Sequence, residues 1–185
     1  MDETGWARLE ALVADTRTRA VGEIGLDHFR NLSPPDVQRE AFGRQLELAA
    51  ARRLPVLVHD REAHEAVTEA LLDWAGSGEG RRGVLHAFSG DRPMAERLVE
   101  AGFVVSFALP LAFRTALGPR EAARALPLGG FLVETDAPYL GPDRDRRNEP
   151  TTVLRVAAEL ARMREVEAED LVGPIRAAYE AVIGR

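Results

Sequence analysis

The sequence predicts an α/β fold built around a parallel β-sheet. Short apolar runs that suit buried strands alternate along the chain with longer segments of helical periodicity. Parallel strands are usually buried on both faces, so they read as uninterrupted apolar runs. Acidic or imidazole side chains lie at or near the ends of four of these runs. Because the carboxyl edge of such a sheet carries the site in α/β proteins, the sequence also predicts a site there.

The first half of the chain is predicted to contain two strands, each flanked by helices. Asp2 to Asp15 forms a short amphipathic helix, and Ala20 to Leu26 forms the first strand. Ser33 to Asp36 marks a helix start, with a serine as cap donor and prolines in the first turn. That helix is expected to extend to Arg53. Pro55 to His59 follows as a fully apolar strand that ends in histidine, and another helix comes after it.

The second half is predicted to add three strands and the remaining helices. Asp91 caps a helix that Gly102 ends, and residues 109–126 combine a loop with one helix. Two helices close the chain, and Pro174 is expected to kink or split the second. The three strands are Gly83 to His86, Phe103 to Phe107 and Phe131 to Thr135, and the closing helices are Thr151 to Met163 and Glu167 to Ile183.

Composition limits the class of protein. A length of 185 residues suits a single domain, 1–185, with a sizeable core. No apolar run reaches membrane-spanning length and no signal-peptide pattern is present, so we expect a cytoplasmic protein that does not enter a membrane. The absence of cysteine excludes disulfides and thiolate metal sites. A net charge of -6 argues against broad adhesion to nucleic acid, although an enzyme that meets phosphate through a metal is compatible with it.

The strand ends carry a set of possible metal ligands. They are Glu23 with Asp27, His59, His86 and Asp136. Each has a structural alternative, since Glu23 could pair with an arginine, the histidines could be satisfied structural residues and Asp136 could cap a turn. Four such positions on one edge are harder to explain by packing alone. Two imidazoles and a carboxylate are a ligand set for a hydrolytic divalent metal.

Five motifs follow one another along the chain. They are GEIGLD at Gly22 to Asp27, PVLVHDREA at Pro55 to Ala63, LHAFSG at Leu85 to Gly90, ETDAPYL at Glu134 to Leu140 and RNEP at Arg147 to Pro150. In this order they resemble the TatD family of metal-dependent deoxyribonucleases, which belong to the amidohydrolase-like superfamily. The resemblance implies a (β/α)8 TIM barrel and a hydrolase that cleaves DNA phosphodiester bonds, exonuclease-like, with a metal-activated water.

The same resemblance implies roles for individual residues. Glu23 would bridge two divalent ions of Mg, Mn or Zn, and His59 and His86 would bind one of them. Asp136 would bind the other and take the proton from the attacking water. Arg61 could hold a substrate phosphate, or it could instead pair with Glu65 at the start of a helix.

Other residues of the motifs are expected to be structural. His64 is taken as a surface or capping residue. Arg147 and Asn148 are expected to pin the loop after Asp136. His28 stands where the family usually has an aromatic residue, and it is not expected to substitute for the missing ligands because it lies past the strand end.

The chain departs from the family at its start. The family begins with a strand that carries Asp-x-His-x-His, and this sequence contains no such pair. Strands resembling the last five of the barrel remain, so the sequence predicts a shortened, incomplete barrel of about five parallel strands. One metal site keeps Glu23, His59 and His86, whereas the second keeps only Glu23 and Asp136 and is expected to be weak. An in-frame Asp-x-His-x-His ahead of Met1 would restore the set.

An incomplete barrel has consequences for packing and for function. We expect an open, curved sheet with apolar side chains facing an unfilled interior, and self-association through the exposed sheet edges or marginal stability. The first functional hypothesis is a phosphodiesterase acting on DNA ends, with activity reduced by the missing ligands. The alternative is a catalytically impaired remnant or interaction module that retains one metal site, and an amidohydrolase of amides or esters is a weaker possibility.

Overall fold

The alternating pattern correctly predicted a five-stranded parallel sheet. The computed structural model describes residues 2–142 and 147–184. Strands that follow each other in sequence are neighbours in the sheet, and each neighbouring pair is parallel. The strands are β1 (Val21–Asp27), β2 (Val56–Arg61), β3 (Gly83–Leu85), β4 (Phe103–Phe107) and β5 (Phe131–Val133).

Seven α-helices connect and flank these strands in the described residues. Two short 3-10 helices, Leu109–Ala112 and Pro150–Thr152, complete the order of elements. None of the helices that the structure describes is long and apolar enough to cross a membrane. The helices are α1 (Glu3–Val13), α2 (Pro35–Arg52), α3 (His64–Gly76), α4 (Arg92–Glu100), α5 (Leu117–Ala125), α6 (Val153–Arg164) and α7 (Ala168–Ile183).

The start of α4 matches its predicted cap, whereas the start of α2 does not. The Asp91 carboxylate accepts a hydrogen bond from the Met94 amide at 3.0 Å. At α2 the flanking residue is Pro34, and no side chain caps the helix, so the prediction of a serine cap was wrong. Pro35 occupies the first helical position and has no N–H to be satisfied. The carbonyl of Ser33 instead accepts a hydrogen bond from Gln38 Nε2 at 2.7 Å.

Helix α7 is continuous through Pro174. The predicted split of this helix was therefore wrong, whereas the alternative of a kink stays a prediction. A proline at this position removes one backbone hydrogen bond, to the carbonyl four residues earlier. That carbonyl belongs to Asp170, which is an exposed residue, so a water molecule can donate the hydrogen bond that the proline cannot.

One face of the sheet packs against the connecting helices. Val58, Leu85, Val105 and Phe131 lie side by side across four strands, as the register of the parallel pairs shows. All four are essentially inaccessible to solvent and belong to the main hydrophobic core. This core also takes in the apolar faces of α2 to α6. The helices and this face together account for most of the buried apolar surface.

Helix α7 covers the opposite face. Leu57, Val84, Val104 and Leu132 point to that side, and they form a second cluster with Ala178, Val182 and Ile175 of α7. The expectation of apolar side chains facing an unfilled interior was wrong at these positions, because the closing helix of the chain buries them. A helix on each side is the usual solution for a parallel sheet.

The face under α7 is also the face that carries the predicted ligands. His59 follows Leu57 by two residues, and His86 follows Val84 by two, so each pair shares a side of the sheet. The sheet is open: in the described residues β1 pairs only with β2, and β5 only with β4. Self-association through these edges stays a prediction, which sedimentation of the purified chain would check.

Candidate metal centre

Three of the predicted ligands meet at the carboxyl edge of the sheet. One ligand atom from each of Glu23, His59 and His86 lies within 4.8 Å of the other two. Oε1 of Glu23 is 2.9 Å from Nδ1 of His59 and 2.6 Å from Nε2 of His86. The two imidazole nitrogens are 3.4 Å apart. The side chains come from β1, the end of β2 and the residue after β3.

This arrangement fits a divalent cation. Ligand atoms that share one ion at about 2.1 Å lie roughly 3.0 to 3.4 Å from each other in tetrahedral or octahedral geometry. The observed separations of 2.6 to 3.4 Å are close to this range. Two neutral imidazoles and one carboxylate suit Zn, Mn or related ions, and the exposed side of Glu23 leaves room for water or substrate.

Gly25 allows the backbones of β1 and β2 to approach each other closely beside the candidate ligands. It pairs with His59 across the two strands and has a φ of 138°, a conformation that L-residues with side chains rarely adopt. A Cβ placed there would lie 2.0 Å from the carbonyl oxygen of His59. The glycine between Glu23 and Asp27 in sequence therefore has a direct role in the local backbone geometry.

His86 is held between two carboxylates. Oε2 of Glu134 lies 3.8 Å from Nδ1, on the ring nitrogen that does not face Glu23. Glu134 in turn accepts hydrogen bonds from the Ala87 amide at 2.5 Å and from the Ser106 hydroxyl. Burial lowers the pKa of His86, but Glu134 and Glu23 outweigh it and raise the pKa to about 9. Burial raises the pKa of Glu134, but His86 and Ser106 outweigh it and hold that pKa below its usual value.

His59 has a comparable partner in Asp27. Oδ2 of Asp27 lies 3.5 Å from Nε2 of His59, opposite the nitrogen that faces Glu23. The other oxygen of Asp27 accepts the Arg30 amide at 2.7 Å. Burial raises the pKa of Asp27, but the Arg30 amide and His59 outweigh it and lower the pKa below its usual value. A carboxylate behind a ligating imidazole fixes its orientation and tautomer, as is common in metal sites.

Asp136 lies beside this group without joining it. It lines a cavity of about 860 Å³ together with His59 and His86, but it is not among the three ligands that converge. Burial raises the pKa of its carboxyl group. Asn148 pins the loop that follows, donating from Nδ2 to the carbonyls of Thr135 at 2.6 Å and Leu140 at 3.3 Å, whereas Arg147 is exposed. A second ion between Glu23 and Asp136 stays a prediction.

Arg61 lines the same cavity and has an aromatic partner. Its guanidinium lies 4.2 Å from the ring centre of Phe29, whose surface is 57% exposed. Arg61 and Glu65 are both described by the structure and form no ion pair, so the pairing considered as an alternative to phosphate binding is absent. Its contact with substrate phosphate stays a prediction. Arg97 of α4 also lines the cavity, and nothing in the sequence pattern had indicated it.

Sequence reasoning missed two features of the site. Glu134 was assigned no role of its own, although it follows an apolar strand just as the predicted ligands do. His64 was taken as a surface or capping residue, and its side chain is 43% exposed, but its place in the cavity wall and its hydrogen bond to Asp60 were not predicted. No helical spacing signals this pair, because Asp60 lies on β2 and His64 is the first residue of α3. His28 lies outside the ligand group.

Comparisons with known proteins agree with the fold and with a metal-dependent hydrolase. Residues 1–184 match the family model described as TatD related DNase. The uncharacterized metal-dependent hydrolase YabD of Bacillus subtilis is 35% identical over 173 residues, which cover 92% of this chain and 67% of that protein. The 3'-5' ssDNA/RNA exonuclease TatD of Enterobacter lignolyticus is 35% identical over 185 residues, covering 93% of this chain and 70% of that protein.

A solved structure extends the comparison to three dimensions. The crystal structure of YJJV, a TatD homologue from Escherichia coli, superposes with a TM-score of 0.91 at 28% identity. The match covers 100% of this chain and 72% of that one. The chain thus spans about two thirds of the length of the curated relatives that it matches.

Proposed function

This chain belongs to the family of TatD-related DNases, and from that membership we propose that it is a metal-dependent hydrolase of nucleic-acid phosphodiester bonds. The observation that carries the proposal is the convergence of Glu23, His59 and His86 at the carboxyl edge of the sheet. This edge is where α/β proteins carry out their chemistry. The cavity beside the cluster is large enough to admit a nucleotide.

The proposed substrate is DNA, cut exonuclease-like from a chain end. The relative from Enterobacter lignolyticus is named a 3'-5' ssDNA/RNA exonuclease, which supports this class of substrate. Arg61 and Arg97 line the cavity and offer cations to a phosphate. With a net charge of -6, the rest of the surface would repel nucleic acid, so recognition would be local to the cavity.

Each residue of the site has a separate role in the proposed hydrolysis. Glu23, His59 and His86 would hold a divalent cation, of Mg, Mn or Zn. Such a cation supplies Lewis acidity toward a phosphoryl oxygen and makes water more acidic near neutral pH. Asp136 would accept the proton of the attacking water, and burial, which raises its pKa, makes it a stronger base than an ordinary aspartate. Arg61 would bind the phosphate that is cleaved.

A second candidate function is favoured by the position of Asp136. Within the described residues one group of three ligands converges, and Asp136 is not a member of it. Glu23 and Asp136 alone would hold a second ion weakly. The chain could then be a catalytically impaired remnant, or an interaction module that retains one metal site. Metal binding without hydrolysis would distinguish this function from the first.

A nuclease assay tests the proposal. The wild-type chain with Mg²⁺ or Mn²⁺ should shorten end-labelled single-stranded DNA. Glu23→Ala and Asp136→Ala should each lower the rate by about a hundredfold or more, as the loss of a ligand or general base does. Glu47→Ala is the matched control, because this carboxylate on α2 is exposed and does not line the cavity. Hydrolysis that is absent in the wild type, or unchanged by both substitutions, would contradict the proposal.

A further inference from the structure

Asp60 and His64 form a hydrogen-bonded pair on the wall of the cavity. Nδ1 of His64, the first residue of α3, lies 2.6 Å from Oδ2 of Asp60. The Asp60 side chain is only 4% exposed, and its other oxygen accepts the Ala63 amide at 3.2 Å. His64 is 43% exposed and lines the same cavity as His59 and Asp136. Because Asp60 engages Nδ1, the nitrogen Nε2 is the one available to a molecule in the cavity.

The surroundings of His64 favour its protonated form. The hydrogen bond that Nδ1 of His64 donates to the Asp60 carboxylate raises the pKa of His64, against a smaller opposing effect of burial, and the charges of Asp60, Asp91 and Glu62 raise it further. A protonated imidazole has N–H groups at both nitrogens, so Nε2 can donate while Nδ1 is held by Asp60. The charged groups that line this cavity near His64 are Asp60, Arg61 and Glu65 from its own segment, and Asp91 and Arg97 from α4.

Phosphodiester hydrolysis is faster when a side chain donates a proton to the leaving oxygen, and the ligand cluster offers no such donor once its imidazoles bind an ion. The sugar oxygen that leaves phosphorus carries away an electron pair and is strongly basic until it is protonated. Arginines cannot give up a proton near neutral pH. Among the described residues that line the cavity the imidazoles are His59, His64 and His86, and the first and last both face Glu23. His64 is therefore the imidazole in the cavity that does not belong to the candidate metal group.

We propose that His64 donates the proton to the leaving oxygen, and that Asp60 is its positioning residue. This inference rests on the proposed hydrolase function. Water oxygen forms a bond to phosphorus, the bond from phosphorus to the leaving sugar oxygen breaks, and that oxygen takes the electron pair. The proton on Nε2 of His64 passes to the leaving oxygen and completes a hydroxyl group. The proton lost by water passes to Asp136, and solvent restores the proton on His64.

The dependence on leaving group tests this role. Thymidylyl-thymidine releases a basic sugar oxygen, whereas the p-nitrophenyl ester of thymidine 5′-phosphate releases a phenolate that needs no proton. His64→Gln should lower kcat on the dinucleotide by about 10²- to 10⁴-fold, the usual contribution of a general acid. On the nitrophenyl ester the same variant should retain activity within roughly fivefold of wild type. Glu69→Gln is the matched control, because this exposed glutamate lies one turn further along α3 and does not line the cavity, and it should leave both rates unchanged.

A second measurement does not depend on turnover. In the metal-free chain, NMR titration of the imidazole should show a raised pKa for His64, and Asp60→Asn should lower it toward the ordinary value of 6.5. A loss of equal size on both substrates, no loss on the dinucleotide, or a His64 pKa that Asp60→Asn does not lower would each overturn the inference. A folded wild-type chain that cleaves neither substrate would overturn the proposed function and, with it, this inference. The three results named above would overturn only the role of His64 and leave the proposed function intact.

Discussion

The carboxylate of Glu134 lies 3.8 Å from Nδ1 of His86, while that of Glu23 lies 2.6 Å from Nε2 of the same ring. The imidazole of His86 thus lies between Glu23, a candidate metal ligand, and Glu134, a partly buried acid on its other side. The Ala87 amide and the Ser106 hydroxyl fix the carboxylate of Glu134. Such an arrangement orients a ligating histidine before any ion arrives.

Glu134→Gln should therefore weaken metal binding without removing a ligand. The amide keeps the shape of the side chain but loses the charge that orients His86 and increases its basicity. We expect the affinity for Mn²⁺ or Zn²⁺ to fall about 10- to 100-fold, as is usual when the partner behind a ligating histidine is lost. Calorimetric titration measures this, with Glu47→Gln as the control for an exposed glutamate. Equal affinities for wild type and Glu134→Gln would contradict a positioning role.

The raised pKa of His86 predicts that metal binding releases protons. With a pKa of about 9, His86 is protonated at neutral pH in the metal-free protein. A metal binds only the neutral imidazole, so the proton must leave as the ion binds. Between pH 7 and 9 the affinity should rise with pH, and titrations in buffers of different ionisation enthalpy should report close to one proton released per ion. A constant affinity across this range would show that His86 is already neutral.

The same pKa predicts how the stability of the metal-free protein depends on pH. The folded-state pKa of about 9 lies above the ordinary value of 6.5. The protonated ring therefore stabilises the fold fully below about pH 6.5, and this contribution disappears as the pH rises through 9. We expect a loss of about 1 to 3 kcal/mol in the free energy of unfolding between pH 6 and 10. Urea denaturation measures it, and His86→Gln should reduce the loss. An identical profile for the variant would contradict the prediction.

Gly25→Ala should disrupt the site through the backbone. The added Cβ would lie 2.0 Å from the His59 carbonyl oxygen, at a φ that alanine rarely adopts. We expect a loss of roughly 3 kcal/mol or more in unfolding free energy, together with weaker metal binding as β1 and β2 move apart. Gly43→Ala is the matched control, because this exposed glycine lies within helix α2 and an added Cβ would meet no atom within 4 Å, so the change should stabilise the fold by about 0.5 to 1 kcal/mol. Comparable melting temperatures for both variants would contradict the account.

The sequence was sufficient to predict the strands and the edge of the sheet at which the candidate ligands converge. Each strand lies within about two residues of its predicted bounds, because continuous apolar runs between helices leave few other placements. Since all the strands are parallel, their carboxyl ends share one edge. Residues as distant in sequence as Glu23 and His86 were therefore expected to meet, and their ligand atoms lie 2.6 Å apart.

The remaining features depend on packing between elements that no local pattern encodes. Helix α7 was predicted from the sequence, but its position on the ligand-bearing side of the sheet was not. The same holds for the stacking of Arg61 on Phe29 and for the place of Glu134 behind His86. Asp136 was expected to share an ion with Glu23, yet it lies beside the converging ligands and not among them.

Titration of the purified, metal-free chain with Mn²⁺ tests the central claim most directly, because it asks whether Glu23, His59 and His86 hold one ion in common. We predict that the wild type binds an ion and that Glu23→Ala, His59→Ala and His86→Ala each weaken binding by about a hundredfold or more, since each removes one of three ligands. Glu65→Ala, which alters the same cavity away from the cluster, should bind as the wild type does. Binding of wild-type strength in all three ligand variants would contradict the account.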